Sequence, residues 1–158
     1  MREMRRKLQQ LSLEETIAIL EKNTSGVLSL LGEDGYPYGV PLSYVYQDHT
    51  LIFHGAKTGH KMDAIKHHDK ASFCVIDQDE IVPEKFTTLY RSAIVFGKVR
   101  VLEDKEEIIS MLQLLAKKYS PNHIEESEKE IKMDGPFVSI FILEIEHMSG
   151  KVGKGLLK

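Results

Sequence analysis

Apolar and polar residues follow two different periods along this chain, and the switches between them mark its elements. The run Ser12-Leu13-Glu14-Glu15 has the capping-box pattern, in which a serine and a glutamate three residues on satisfy each other's backbone donors. It predicts a helix from Leu13 to Lys22, ended by Asn23, with Leu13, Ile17 and Leu20 as one narrow buried stripe. The next stretch, GVLSLLGEDGYPYGVPLSYVYQDHTLIFHG, is rich in β-branched and aromatic residues and is divided by turn signals at Asp34-Gly35 and Gln47-Asp48-His49. It reads as a meander of three strands. Pro37 and Pro41 cannot donate to a ladder, so the second strand is expected at an edge, or bulged near Val40, with backbone free to meet a ligand.

After His54 the pattern becomes GAKTGHKMDAIKHH, a glycine-containing loop entering a short helix with Met62 and Ile65 inward. ASFCVID returns to strand, and Gln78 to Glu84 reads as an acidic surface loop interrupted by Pro83. From Thr87 to Glu103 a long strand alternates Ala93, Val95, Gly97, Val99 and Val101 against Ile94, Phe96, Lys98 and Arg100. Asp104 with Glu107 caps a helix whose inner stripe is Ile108, Met111, Leu112 and Leu115, stopped by Pro121. ESEKEIKMDG is a charged helix or loop, PFVSIFILEIEHM is the last strand, and SGKVGKGLLK is a mobile tail. The order α-β-β-β-α-β-β-α-β gives a mainly β fold, an antiparallel barrel with peripheral helices, as a single domain over residues 1–158. A doubly wound parallel sheet does not fit.

Composition narrows the partners. With 42% hydrophobic and 28% charged residues and a net charge of -3, the chain has no basic excess for a nucleic-acid backbone. No apolar stretch reaches the roughly 18 residues of a membrane span, and MREMRRKLQQ runs into glutamines rather than a secretion-signal core. The lone Cys74, in the apolar run ASFCVI, forms no internal disulfide and reads as a small core residue. A cytoplasmic protein is expected.

The densest chemistry lies at His54-Gly55-Ala56-Lys57-Thr58-Gly59-His60-Lys61. The segment leaves a strand, turns through two glycines and enters a helix. Backbone N–H groups, the helix's positive end and the cations Lys57, His60 and Lys61 can converge there on one anion, most naturally a phosphate. It is not a P-loop, since the glycine spacing is one residue short and Met62 follows the lysine. An ordinary strand-to-helix turn remains the competing reading. The seven histidines lack carboxylates and thiolates arranged around them, so no metal is expected. No nucleophile elbow and no paired carboxylates stand out.

Taken together, YGVPLSYVY, LIFHGAKTGHKMDAI, FTTLYRSAIVFGKV and a helix opening EDKEE and closing KKYSP resemble the pyridoxamine 5′-phosphate oxidase-like flavin-binding split barrels. Within that group the chain is most similar to the branch of the nitroimidazole-resistance proteins. The resemblance covers about residues 14 to 150, and the joint order of the segments is far more specific than any one of them.

The resemblance implies a six-stranded antiparallel split barrel that forms a homodimer, with two FMN molecules in grooves between the subunits. Val40, Pro41, Leu42 and Ser43 would line the isoalloxazine with main chain, and Phe53, His54, Gly55 and Ala56 would run beside it. Gly59, His60 and Lys61 would hold the phosphate. Thr88, Tyr90, Arg91 and Ser92 match a segment that approaches the flavin, from the same subunit or its partner. FAD is an alternative cofactor and haem a less favoured one. The implied activity is an NAD(P)H-dependent oxidoreductase acting on nitroimidazole-like or other small oxidants, with His54 as the side chain beside the acceptor. The alternative is a non-catalytic flavin- or haem-binding sensor on the same barrel. SGKVGKGLLK lacks the substrate-binding arginines of the oxidases proper, so the resemblance does not extend to vitamin B6 oxidation.

Overall fold

The computed structural model describes residues 1–157. Helix α1 (Leu13–Lys22) is followed by strands β1 (Ser25–Leu31), β2 (Pro37–Ser43), β3 (Val45–Gln47) and β4 (Thr50–Ala56), then helix α2 (His60–His67). Strands β5 (Lys70–Val82) and β6 (Thr87–Val101) form a long hairpin. Helices α3 (Lys105–Tyr119) and α4 (Ile124–Asp134) lead into β7 (Val138–Val152).

All pairings are antiparallel, in the order β2-β1-β5-β6-β7-β4-β3. The sheet therefore has seven strands and is not closed by a ladder, where a six-stranded barrel was expected. The cause lies at Tyr44, the single residue between β2 and β3. Its N–H donates to Thr24 O and to the Tyr119 hydroxyl, and its carbonyl accepts from Lys118 and Tyr119. No neighbouring strand holds it, so one run of chain becomes two strands, placed at the two ends of the sheet.

Inside the curved sheet, Leu28, Leu30, Phe53, Phe73, Val95 and Phe141 pack with Ile19 and Leu20 of α1 and Met62 and Ile65 of α2. Removing a leucine or phenylalanine of this kind from water contributes about 1.5–3 kcal/mol. A second cluster, Val45, Ile52, Ile140 and Ile142, is covered by Leu102 and by Leu115, with Ile108, Met111 and Leu112 of α3 beside it. Adjacent residues of β7 such as Ile140 and Phe141 are both buried because each face of that strand has its own cover.

Four local expectations need correction. The capping box of α1 forms as read, but the helix is rotated: Thr16, Ile19 and Leu20 are buried, and Leu13 is 56% exposed. Thr16 tolerates burial because its hydroxyl donates to Ser12 O at 2.8 Å. The acidic stretch from Gln78 is not a loop. β5 bulges between Ile76 and Gln78 and continues to Val82, paired with β6 as a two-stranded arm whose acidic side chains face solvent. The glycine-rich tail is largely strand, since Ser149 to Val152 pair with Ile94 to Arg91 and Gly150 O accepts from Leu11 N–H. Cys74 lies half-buried on the outer face of β5, outside both clusters, where desolvation raises its thiol pKa.

Candidate functional site

Among the described residues, the edge of β2 away from β1 has no partner strand. Along it Tyr38, Val40 and Leu42 turn inward against the core, while Pro41 and Ser43 are exposed. The end of β4 carries a second free edge. Residues 50–52 of β4 pair with β3, but residues 53–56 have only β7 beside them. The sheet is thus open, or split, along β2 and along the last residues of β4, among the described residues.

The turn after β4 closes toward that split. Gly59 has φ +116°, a conformation open to glycine, and a Cβ there would meet nothing within 4 Å, so the space above it is free. Its carbonyl accepts from Met62 and Asp63 N–H, which starts α2 and leaves the earliest N–H groups of the helix without intrahelical partners. The imidazole of His60 stacks on Tyr38 of β2 at 4.1 Å between centroids. The Lys61 ammonium lies along the strand end: a Cβ on Gly55 would meet Lys61 Nζ at 2.8 Å, and the Phe141 ring centroid is 5.3 Å from it. Desolvation lowers the Lys61 pKa. An imidazole, an ammonium and a helix start therefore border the open end of the split.

The pleat sorts the remaining residues. Phe53 is fully buried, stacked on Phe141, so its side chain is core and only its main chain borders the split. His54 is exposed, on the face of β4 opposite the one Gly55 presents to Lys61, directly across from Ile140. Ala56 ends the strand opposite Val138.

Thr88, Tyr90, Arg91 and Ser92 are not brought to this turn. Arg91 pairs with Val152 at one end of β7, whereas Ala56 pairs with Val138 at the other. Arg91 is instead held from below by Asp77, the bulge residue of β5, with Nε 3.7 Å from Oδ2. That nitrogen is shielded from solvent and has no hydrogen-bond partner among the described residues. Burial acts to raise the Asp77 pKa, but hydrogen bonds from Asn23 and Lys22 and the charges of Lys22 and Arg91 together hold it below the usual carboxylate value. Sequence reasoning missed Asp77, because a bulge leaves no signature when the ladder on both sides resumes.

The outer face of the sheet carries Val27 and Leu31 of β1, Ile76 of β5 and Ile94 of β6, all exposed. Next to them, Ser29, Leu31, Pro37, Lys70, Ser72 and Phe96 border a cleft of about 320 Å³ that does not include the turn at Gly59 to Lys61. Among the described residues no group of three or more His, Cys, Asp or Glu is arranged to hold a metal ion, and no helix is long and apolar enough to cross a membrane.

A candidate 5-nitroimidazole antibiotic resistance protein from Bacteroides thetaiotaomicron superposes with a TM-score of 0.76 at 21% identity, over 90% of this chain and 86% of that one. A FAD-binding protein from Mesorhizobium loti gives 0.63 at 25% identity, over 92% and 98%. A FAD and heme binding protein from Mycobacterium smegmatis gives 0.75 at 21%, over 95% and 76%. No curated protein matches the chain. The sequence model of the pyridoxamine 5′-phosphate oxidase family matches residues 12–152, nearly the whole of the chain, which therefore belongs to that family.

Proposed function

We propose that the chain binds a flavin nucleotide, FMN, as a homodimer and uses it as an NAD(P)H-dependent oxidoreductase on nitroaromatic or similar small oxidants. The observation that carries this reading is the turn Gly59-His60-Lys61 at the open end of the split. It offers a helix start, the Lys61 ammonium, the His60 imidazole and free space above a glycine, a donor set suited to a phosphate ester. Lys61 and His60 would hold the phosphate. The unpaired main chain of Val40 to Ser43, and that of residues 53–56, would meet the ring.

When bound, the flavin supplies the electron-accepting chemistry. The protein's part is position and access. Pro41 removes a donor from the β2 edge and leaves its carbonyls and the neighbouring N–H groups to fix a planar ring. The exposed imidazole of His54 can exchange a proton with solvent or with an acceptor near it.

Two features support the dimer. Val27, Leu31, Ile76 and Ile94 expose an apolar outer face that a second copy would cover. Thr88, Tyr90, Arg91 and Ser92 lie too far along β6 to reach the phosphate turn of their own chain, so a partner subunit is the natural recipient.

The visible spectrum of the purified protein tests the cofactor: bands near about 370 and 450 nm support flavin, and a Soret band near about 400 nm supports the haem-binding alternative. Bleaching by NAD(P)H and recovery on adding a nitroimidazole test the activity. A flavin that stays oxidised with both nicotinamides would reduce the reading to a binding protein. FMN and FAD are told apart by denaturing the protein and identifying what it releases.

A further inference from the structure

The C-terminal turn of α3 reaches the break between β2 and β3 through the side chains of Lys118 and Tyr119. Lys118 Nζ donates to Asn23 O at 2.6 Å and to Tyr44 O at 3.1 Å, and stands 4.4 Å from the centroid of the Tyr44 ring. No carboxylate pairs with it among the described residues, and burial lowers its pKa. The Tyr119 hydroxyl accepts from Tyr44 N–H at 2.8 Å and shares its proton between the carbonyls of Tyr44, at 2.7 Å, and Thr24. Desolvation raises the Tyr119 pKa, against the lowering effect of the Tyr44 carbonyl and the neighbouring Ser43 side chain. Both main-chain polar groups of Tyr44 are therefore held by α3 at the one point where the ladder lapses.

Ordering two long side chains and partly burying an ammonium without a counter-ion is a poor route to stability alone. Leu115, Met111, Leu112 and Ile108 already fasten α3 to the sheet. What the polar pair adds is direction. It fixes the chain immediately after Ser43, and so sets the course of an edge that is paired on one side only.

We propose that Lys118 and Tyr119 are positioning residues of the flavin site, acting through Ser43 and Tyr44 on the β2 edge; the proposal rests on the flavin reading above. A ring docked on main-chain groups needs them held to within about 0.5 Å, and here an apolar contact could not specify that.

Two variants test it. Tyr119→Phe keeps the ring and removes one hydroxyl, and Lys118→Met keeps length and packing while removing the ammonium. Each should weaken FMN binding roughly threefold to tenfold, the scale of one or two hydrogen bonds, and should change the shape of the bound flavin's 450 nm band. The second readout reports the ring's surroundings and would not respond to lost global stability. Variants that bind FMN within about twofold of the parent, with the parent band shape, would overturn the proposal even if they melt earlier. A parent protein that takes up no flavin would overturn the flavin reading, and the proposal with it. The two failures are thus distinct.

Discussion

The His60 imidazole lies on the Tyr38 ring with centroids 4.1 Å apart and planes inclined by 21°, a contact that ties the start of α2 to the free edge of β2. Two separate elements are joined there, one bearing the Lys61 ammonium and the other unpaired backbone. Tyr38→Leu is expected to free His60 and weaken FMN binding by about 0.5–1.5 kcal/mol, the scale of an aromatic contact. Titration of the variant by flavin fluorescence checks this, and unchanged affinity would separate the stack from the site.

Gly55 and Lys61 give a second test. A Cβ at residue 55 would meet Lys61 Nζ at 2.8 Å, and because the obstacle is the end of a flexible chain it moves instead of breaking the fold. Gly55→Ala should therefore leave the melting temperature nearly unchanged while displacing the ammonium. FMN affinity should fall toward that of Lys61→Ala, about 1–3 kcal/mol weaker than the parent. A variant that melts much earlier with intact affinity would show that Gly55 serves packing only.

The outer face predicts assembly. Ile76 is 66% exposed on β5, with Ile94 exposed on the neighbouring β6. Ile76→Glu or Ile94→Glu places a charge that a dimer interface would have to desolvate. Sedimentation should show the parent as a dimer and these variants shifted to monomer, with flavin lost in parallel. A monomeric parent would remove the role given to Arg91 of a second copy.

Tyr44 sets a limit at high pH. Its side chain is fully buried, with the hydroxyl donating to Leu20 O at 2.7 Å, and desolvation first, then the neighbouring Tyr119 and Asp77, raise its pKa well above the ordinary tyrosine value. Its contribution is fully present below about pH 10, where the unfolded phenol is neutral as well. Above that the unfolded chain ionises first, so stability falls as pH rises toward the folded value. Urea titrations between about pH 9 and 11 should show a steeper loss for the parent than for Tyr44→Phe. Equal slopes would contradict this assignment.

Much of this arrangement is legible in the sequence because single residues carry it. Ser12 and Glu15 announce α1, Pro37 and Pro41 announce an edge strand, and the two glycines before His60 announce the turn. What is hidden depends on partners. Thr16 is buried against the polar expectation because Ser12 O satisfies its hydroxyl. The β5–β6 arm continues through acidic residues because a two-stranded ladder with both faces in water needs no apolar alternation. The tail becomes strand because β6 offers it an edge. Lys118 and Tyr119 look like the polar end of an amphipathic helix, and only the path of the backbone at Tyr44 gives them work. The pleat likewise sends His54 to the face of β4 away from Lys61, which its neighbours in sequence do not announce.

The account depends above all on the turn at Gly59 to Lys61 gripping a phosphate. Calorimetric titration with FMN and with riboflavin, which has the same ring and no phosphate, tests that directly. FMN should bind one per chain, and riboflavin should bind at least about tenfold more weakly, with Lys61→Ala bringing the two together. Equal affinity for both compounds, or no uptake of either, would contradict it.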